Sequence, residues 1–165
     1  MSTLHPIIAI TGPSGAGTTA VSKTFEQIFR RESVNAAYVE GDAFHRFDRA
    51  QMQEKITAER DLGNPSFSHF GPGSNLFDEL ESLFRQYGED GGGQFRKYLH
   101  NDSDAAAYEQ EPGTFTSWEP VPDGTDVLFY EGLHGAVKTE TIDVCQFIDL
   151  SIGVVPVINL EWIQK

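Results

Sequence analysis

Cysteine is nearly absent: Cys145 stands alone among 165 residues, so neither an intramolecular disulfide nor a cysteine-built metal cage can form within the chain. Any thiol switch would have to join two molecules. Basic residues are scarce as well, twelve Lys and Arg against twenty-five Asp and Glu. The resulting formal net charge of −13 opposes the long-range field that nucleic acid or an anionic membrane requires, so neither is an expected partner. Long apolar runs are missing too. Those near Ile7–Ile10 and Ile152–Ile158 fall far short of the roughly 20 residues that cross a bilayer. No basic segment leads into a signal-like stretch, which makes the cytoplasm the expected compartment.

What is present suits an ordinary globular core. Apolar residues make up 39% of the chain and charged residues 22%, with twelve Phe among the aromatics. The length fits one domain, since single domains usually hold about 50–250 residues, and so one site is expected. Short apolar runs alternate with helical ones, a βαβ pattern that predicts an α/β fold with a mainly parallel sheet. Pro6–Thr11 is a β-branched run ending at glycine. Thr19–Arg31 spaces Val21, Phe25, Ile28 and Phe29 for one helical face. Ala36–Glu40 reads as a second strand, Ala50–Leu62 as a helix, Asn64–Ser74 as an ordered loop and Asn75–Tyr87 as another helix. A glycine-rich turn over Gly88–Gly93 and an irregular acidic stretch over Asp102–Gly124 form an insertion. Asp126–Glu131 and Phe147–Val155 are apolar and β-rich, as two buried parallel strands would be. Asn159–Lys165 reads as the opening turns of a helix without a capping glycine, so a longer parent chain is expected.

Between the first strand and first helix lies Gly12-Pro-Ser-Gly-Ala-Gly-Thr-Thr19, the place from which backbone amides can wrap phosphates. Glycines at 12, 15 and 17 permit positive φ and close backbone approach, and the helix N-terminus adds free N–H groups and a favourable dipole. The candidate nucleotide-binding residues are Gly12, Pro13, Ser14, Gly15, Ala16, Gly17, Thr18, Thr19 and Ala20. The usual phosphate loop ends Gly-Lys-Ser/Thr, and Thr18 stands where that lysine belongs. One phosphate-binding charge is therefore missing. Thr19 keeps the hydroxyl that binds Mg²⁺ together with the β and γ phosphates of ATP. A plain glycine-rich turn is the competing reading of the loop alone.

Two acids follow strands. Asp126-Val-Leu-Phe-Tyr-Glu131 ends a hydrophobic run in a carboxylate, a second acid of the kind that holds Mg²⁺ or its water shell. Asp42 follows the second strand and is placed to accept an acceptor hydroxyl's proton, or else to N-cap a helix beginning near Phe44. His45 and Arg49 lie four residues apart, one helical turn, and could face one anion such as a phosphate on the acceptor. Arg49 could equally be a solvated helix residue. Tyr98 and His100, with Lys97, form a smaller polar cluster that fits either substrate contact or loop anchoring.

Several stretches together resemble one family, in one order along essentially the whole chain. They are Gly12–Thr19, Glu40-Gly-Asp-Ala-Phe-His-Arg46, Phe67-Ser-His-Phe70, Tyr130-Glu-Gly-Leu-His-Gly-Ala136 and Ile152–Lys165. They look like the proteobacterial phosphoribulokinases, P-loop kinases of the phosphoribulokinase/uridine kinase family. That branch carries threonine or a similar residue where other P-loop kinases have lysine. The resemblance implies a three-layer α/β/α P-loop domain over 1–165, the N-terminal part of a longer family domain. It implies ATP-dependent phosphorylation of the C1 hydroxyl of D-ribulose 5-phosphate, giving ribulose 1,5-bisphosphate in the Calvin cycle of carbon fixation. By position, Asp42 would be the catalytic base, Glu131 and Thr19 the metal site, His45 and Arg49 sugar-phosphate contacts, and Lys165 a phosphoryl-site cation in place of the charge absent at Thr18. Family members of this branch are oligomeric and respond to NADH, whereas the chloroplast branch uses a cysteine pair. A uridine kinase-like nucleoside kinase and a non-catalytic nucleotide-binding fragment are the alternatives.

Overall fold

The computed structural model describes residues 4–156. Its centre is a parallel four-stranded sheet of β1 (Ile7–Thr11), β2 (Ala36–Glu40), β5 (Val127–Gly132) and β6 (Leu150–Gly153), in the order β2-β5-β1-β6. Helices cover both faces: α1 (Thr18–Glu32) on one and α3 (Phe77–Asp90) on the other. Side chains alternate across a strand, so one strand feeds two cores. On β5, Leu128 and Tyr130 pack with Leu80, Leu83, Phe84 and Tyr87 of α3. Val127 and Phe129 pack instead with Phe29, Val21 and Phe25 of α1. Each such side chain stabilises the fold by about 1.5–3 kcal/mol on full burial. The three-layer α/β/α expectation is met.

The remaining elements are α2 (Arg49–Asp61), the short α4 (Asp102–Ala106), and the two-residue strands β3 (Gln94–Phe95) and β4 (Glu119–Pro120). The antiparallel β3–β4 pair continues through Lys97–Thr116 and Leu99–Thr114 backbone bonds and a Tyr98–Phe115 bridge. Residues 94–120 therefore form a ribbon rather than a wholly irregular insertion.

Four expectations need correction. The second apolar stretch forms a strand only over Leu150–Gly153, after a 3₁₀ turn at Val144–Phe147. This strand is not buried: among the described residues it lies at the sheet edge, with Leu150 46% exposed. The helix expected to stop at Tyr87 runs through Gly88 to Asp90, because Gly88 lies against Ile7 on the packed face. Gly91 ends it in the left-handed region, φ 78°, with its N–H on the Tyr87 carbonyl. Finally, Asp42 caps no α-helix near Phe44, while α2 begins within one residue of the expected Ala50. A short 3₁₀ turn spans Gly41–Phe44, and Asp48 caps α2 in a reciprocal box with Gln51. His45 is extended, at φ −63° and ψ 141°, so His45 and Arg49 do not share a helical turn. The helix expected over Asn159–Lys165 lies outside the described residues.

Candidate active site

Parallel pairing brings three strand ends to one side of the sheet. Thr11 of β1 is opposite Gly132 of β5, and Glu40 of β2 is opposite Glu131. The segments that follow, 12–19, 41–45 and 132–134, converge there, where ligands bind in open α/β sheets. A cavity of about 550 Å³ opens among them, lined by Ser14, Thr18, Thr19, Asp42, His45 and Glu131 and also by Glu40, His69, His100 and His134.

The loop adopts the geometry that phosphate binding needs. Gly15 and Gly17 take positive φ, 83° and 94°, while a Cβ on Gly12 would lie 2.7 Å from the Val154 carbonyl oxygen. Gly17 is the N-cap of α1 and no side chain caps that end, which leaves its first amides for an anion. Gly12, Ser14, Gly15, Thr18 and Thr19 line the cavity; Pro13, Ala16, Gly17 and Ala20 do not. They shape the turn, through Ala16 N–H on the Pro13 carbonyl and Ala20 N–H on the Gly17 carbonyl. The Thr11 hydroxyl donates to the Leu133 carbonyl at 2.7 Å and ties the loop's root to the segment after β5.

Asp42 sits in the 3₁₀ turn, its side chain half exposed, with Oδ1 3.3 Å from His45 Nε2 and Oδ2 3.7 Å from His100 Nε2. The hydrogen bond from His45 outweighs burial and holds the Asp42 carboxyl below its ordinary range. Burial alone would lower His45, but its bonds to Asp42 and Asn75 outweigh that and raise it above the usual imidazole value. Burial pushes His134 down, and its Nε2 lies 3.1 Å from the Phe70 carbonyl, an acceptor only. Burial raises Glu40, with His100 opposing. The turn itself depends on close packing: a Cβ on Gly132 would come within 2.8 Å of both Gly41 Cα and the Tyr130 hydroxyl.

Two of the expected substrate contacts stand back from the cavity. Arg49 is committed to backbone, donating to the His100 carbonyl at 2.8 Å and packing against Gly113. Tyr98 stacks edge-on to His100, ring centroids 4.8 Å apart, and neither it nor Arg49 lines the cavity. Lys165 lies outside the described residues.

Sequence reasoning named no role for four residues that build this site. His69 and His134 were at least inside distinctive stretches, Phe67-Ser-His-Phe70 and Gly132-Leu-His-Gly135. Asn75 and Arg96 had no local signal. Arg96 lies 3.7 Å from the Phe115 ring centroid and 4.8 Å from that of Trp118, and donates to the carbonyls of Ala43 and His45 at 2.8 and 2.6 Å. It fastens the ribbon to the turn that bears Asp42.

Among the described residues no cluster of three or more His, Cys, Asp or Glu is set to hold a metal ion. Thr19 and Glu131 both face the cavity. A hydroxyl and one carboxylate are a donor set that suits Mg²⁺ arriving with phosphate oxygens and its own waters.

Residues 7–165 match the model of the Phosphoribulokinase / Uridine kinase family. The chain belongs to this family. It is 64% identical over 161 residues to a phosphoribulokinase of Nitrobacter vulgaris, covering 98% of this chain and 56% of that protein. It is 62% identical over 165 residues to the chromosomal phosphoribulokinase of Cupriavidus necator, again covering 56% of that protein. The structure of phosphoribulokinase from Rhodobacter spheroides superposes with a TM-score of 0.86 at 48% identity, over 98% of this chain and 55% of that one. A possible uridine kinase from Bacillus stearothermophilus matches in fold, at TM-score 0.62 and 17% identity, over all of this chain and 78% of that one. The chain thus spans about half the length of the curated phosphoribulokinases it matches.

Proposed function

We propose that the protein is the kinase that phosphorylates the C1 hydroxyl of D-ribulose 5-phosphate from ATP, giving ribulose 1,5-bisphosphate in the Calvin cycle. The observation that supports this best is the convergence of the glycine loop, Asp42 and Glu131 on one cavity, in a chain 62–64% identical to phosphoribulokinases. In this reading the amides at 12–19 hold the triphosphate, with Thr19 and Glu131 as ligands for Mg²⁺, which when bound would offset phosphate charge. Asp42 takes the C1 hydroxyl proton as the new O–P bond forms and the bond to ADP breaks. His45 holds the Asp42 carboxylate in place, and His100, with Nε2 3.7 Å from Asp42, offers an N–H group to the acceptor, while Arg49 and Tyr98 support His100 from behind. Lys165 supplies a cation to the transferring phosphoryl group. The remaining assignments, a homo-oligomer responsive to NADH, rest on the family resemblance, and the cytoplasmic one on the sequence pattern.

The test is ADP release by the full-length protein with ribulose 5-phosphate or uridine as acceptor. Turnover with the sugar phosphate and none with uridine is expected; the reverse preference would replace this reading with a nucleoside kinase. Asp42→Asn should lower kcat by about 10²–10⁴-fold, the usual worth of a general base.

A further inference from the structure

We infer that Asn75 is a positioning residue for the Asp42–His45 pair: its buried amide oxygen keeps a proton on His45 Nδ1 and so commits Nε2 to Asp42. Asn75 is 2% exposed. Its Nδ2 lies 2.8 Å from the carbonyl oxygens of both His69 and Gly71. Carbonyls only accept, so the amide cannot be turned round without setting oxygen against two oxygens. Oδ1 is therefore the atom 2.9 Å from His45 Nδ1, and since it too only accepts, Nδ1 must be the donor. The ring's other nitrogen faces Asp42 Oδ1 at 3.3 Å. A neutral ring would point a lone pair at that carboxylate, so the contact is favourable only when Nε2 is protonated as well. His45 is then an imidazolium held between an amide and an acid.

Burial and the charge of Arg96 oppose this state, and the bonds to Asn75 and Asp42 prevail over them. The His69 ring lies 6.2 Å away and Tyr98 6.4 Å, Arg96 binds the His45 carbonyl rather than its ring, and His100 and His134 bear on Asp42. The described lining of the cavity includes no Lys or Arg, which makes a charged His45 the more consequential there. Backbone pairing fixes the distance: Arg46 N–H donates to the Ser74 carbonyl and Leu76 N–H to the Phe44 carbonyl, at 2.8 Å each. The catalytic meaning rests on the reading of Asp42 as base, but the proton assignment does not.

The experiment is long-range ¹H–¹⁵N correlation spectroscopy of the histidine rings in the full-length protein across pH 6–9, with His45 assigned by loss of its signals in His45→Gln. Wild type should show Nδ1 protonated at every pH, with Nε2 losing its proton at a midpoint above the ordinary imidazole value. Asn75→Leu should move the neutral ring to the Nε2–H form and lower the midpoint by about one unit or more, with KM for ribulose 5-phosphate rising about tenfold above neutral pH. Asn75→Asp keeps an oxygen against Nδ1 and should keep the Nδ1–H form. A wild-type ring with bare Nδ1 overturns the inference, and so does a Leu variant whose ring titrates as wild type. If Asn75 serves only the 68–74 loop, both variants suffer equally and the ring is unchanged, which also overturns it. Should either variant fail to fold, the wild-type spectrum decides, since a bare Nδ1 there overturns the inference by itself. Full turnover by Asp42→Asn would instead sink the kinase assignment of Asp42 and leave the Nδ1 result standing.

Discussion

At the scale of single residues, two side chains hold the turn that bears Asp42 from opposite directions, Asn75 from the loop before α3 and Arg96 from the ribbon. Arg96 uses the flat face of its guanidinium against Phe115 and Trp118 and its edge for two carbonyls, a combination that a lysine cannot reproduce. Arg96→Lys should therefore lower kcat/KM for ribulose 5-phosphate by about 10–100-fold, since small misplacement of a reacting group costs that much. KM for MgATP should stay near wild type, because the hydrogen-bond and ring partners of Arg96 lie in the 41–45 turn and the ribbon; equal loss in both constants would refute a local role. The Asp42–His45 pair also sets a pH dependence. Asp42 is depressed in the fold, so its contribution to stability is present above about pH 3.9 and lost as pH falls through its lower folded value. His45 is raised, so its contribution is full below about pH 6.5 and lost as pH rises through its higher folded value. Thermal midpoints of wild type should decline on both sides of that window, and His45→Gln should flatten the alkaline decline.

Elements show where local signals sufficed. The helix read over Ala50–Leu62 forms as Arg49–Asp61, and its capping box, Asp48-Arg-Ala-Gln51, went unread; α2 has little else to define its start, since Met52 is its one buried residue. Asp48→Ala should lower stability by about 0.5–2 kcal/mol, read from the urea midpoint at unchanged slope. A change within about 0.2 kcal/mol would mean that the Arg49 N–H bond to the Gly113 carbonyl fixes the helix start by itself. The strands β1, β2 and β5, the helix α1 and the phosphate turn were legible because their hydrophobic period and turn residues agree with their final surroundings. Arg49 was misplaced for the same reason in reverse: four-residue spacing implies a shared helical face only where both residues are helical, and the cap at Asp48 intervenes. The ribbon was illegible because two-residue strands, one ending at Pro120, are set by pairing across more than twenty residues rather than by composition. The exposure of β6 depends on neighbours that a strand's own sequence does not encode.

The whole molecule joins a sheet, buried on both faces at β5, to a ribbon of two short strands that packs Phe95 and Trp118 against the core. Trp118 lies edge-on to Phe44 across that junction, and Arg96 on the 41–45 turn, Arg49 on the His100 carbonyl and Tyr98 against His45 add polar and ring ties. Local opening follows contact density and buried area, so the two parts should not open together. In hydrogen exchange followed by mass spectrometry, amides of β5 and β1 should be the last to exchange, and those of 94–99 and 113–120 should exchange through a lower-energy opening. Adding MgATP should protect 12–19 and the start of α1 while leaving the ribbon nearly unchanged. Ribulose 5-phosphate, if it meets Asp42 and His100, should slow the ribbon as well, because it bridges the junction that Arg96 spans. Arg96→Lys should speed ribbon exchange without altering β5. Exchange of ribbon and sheet in a single cooperative step would show that the cavity is one rigid body, and would remove the physical basis for expecting the acceptor, rather than the nucleotide, to order its far wall.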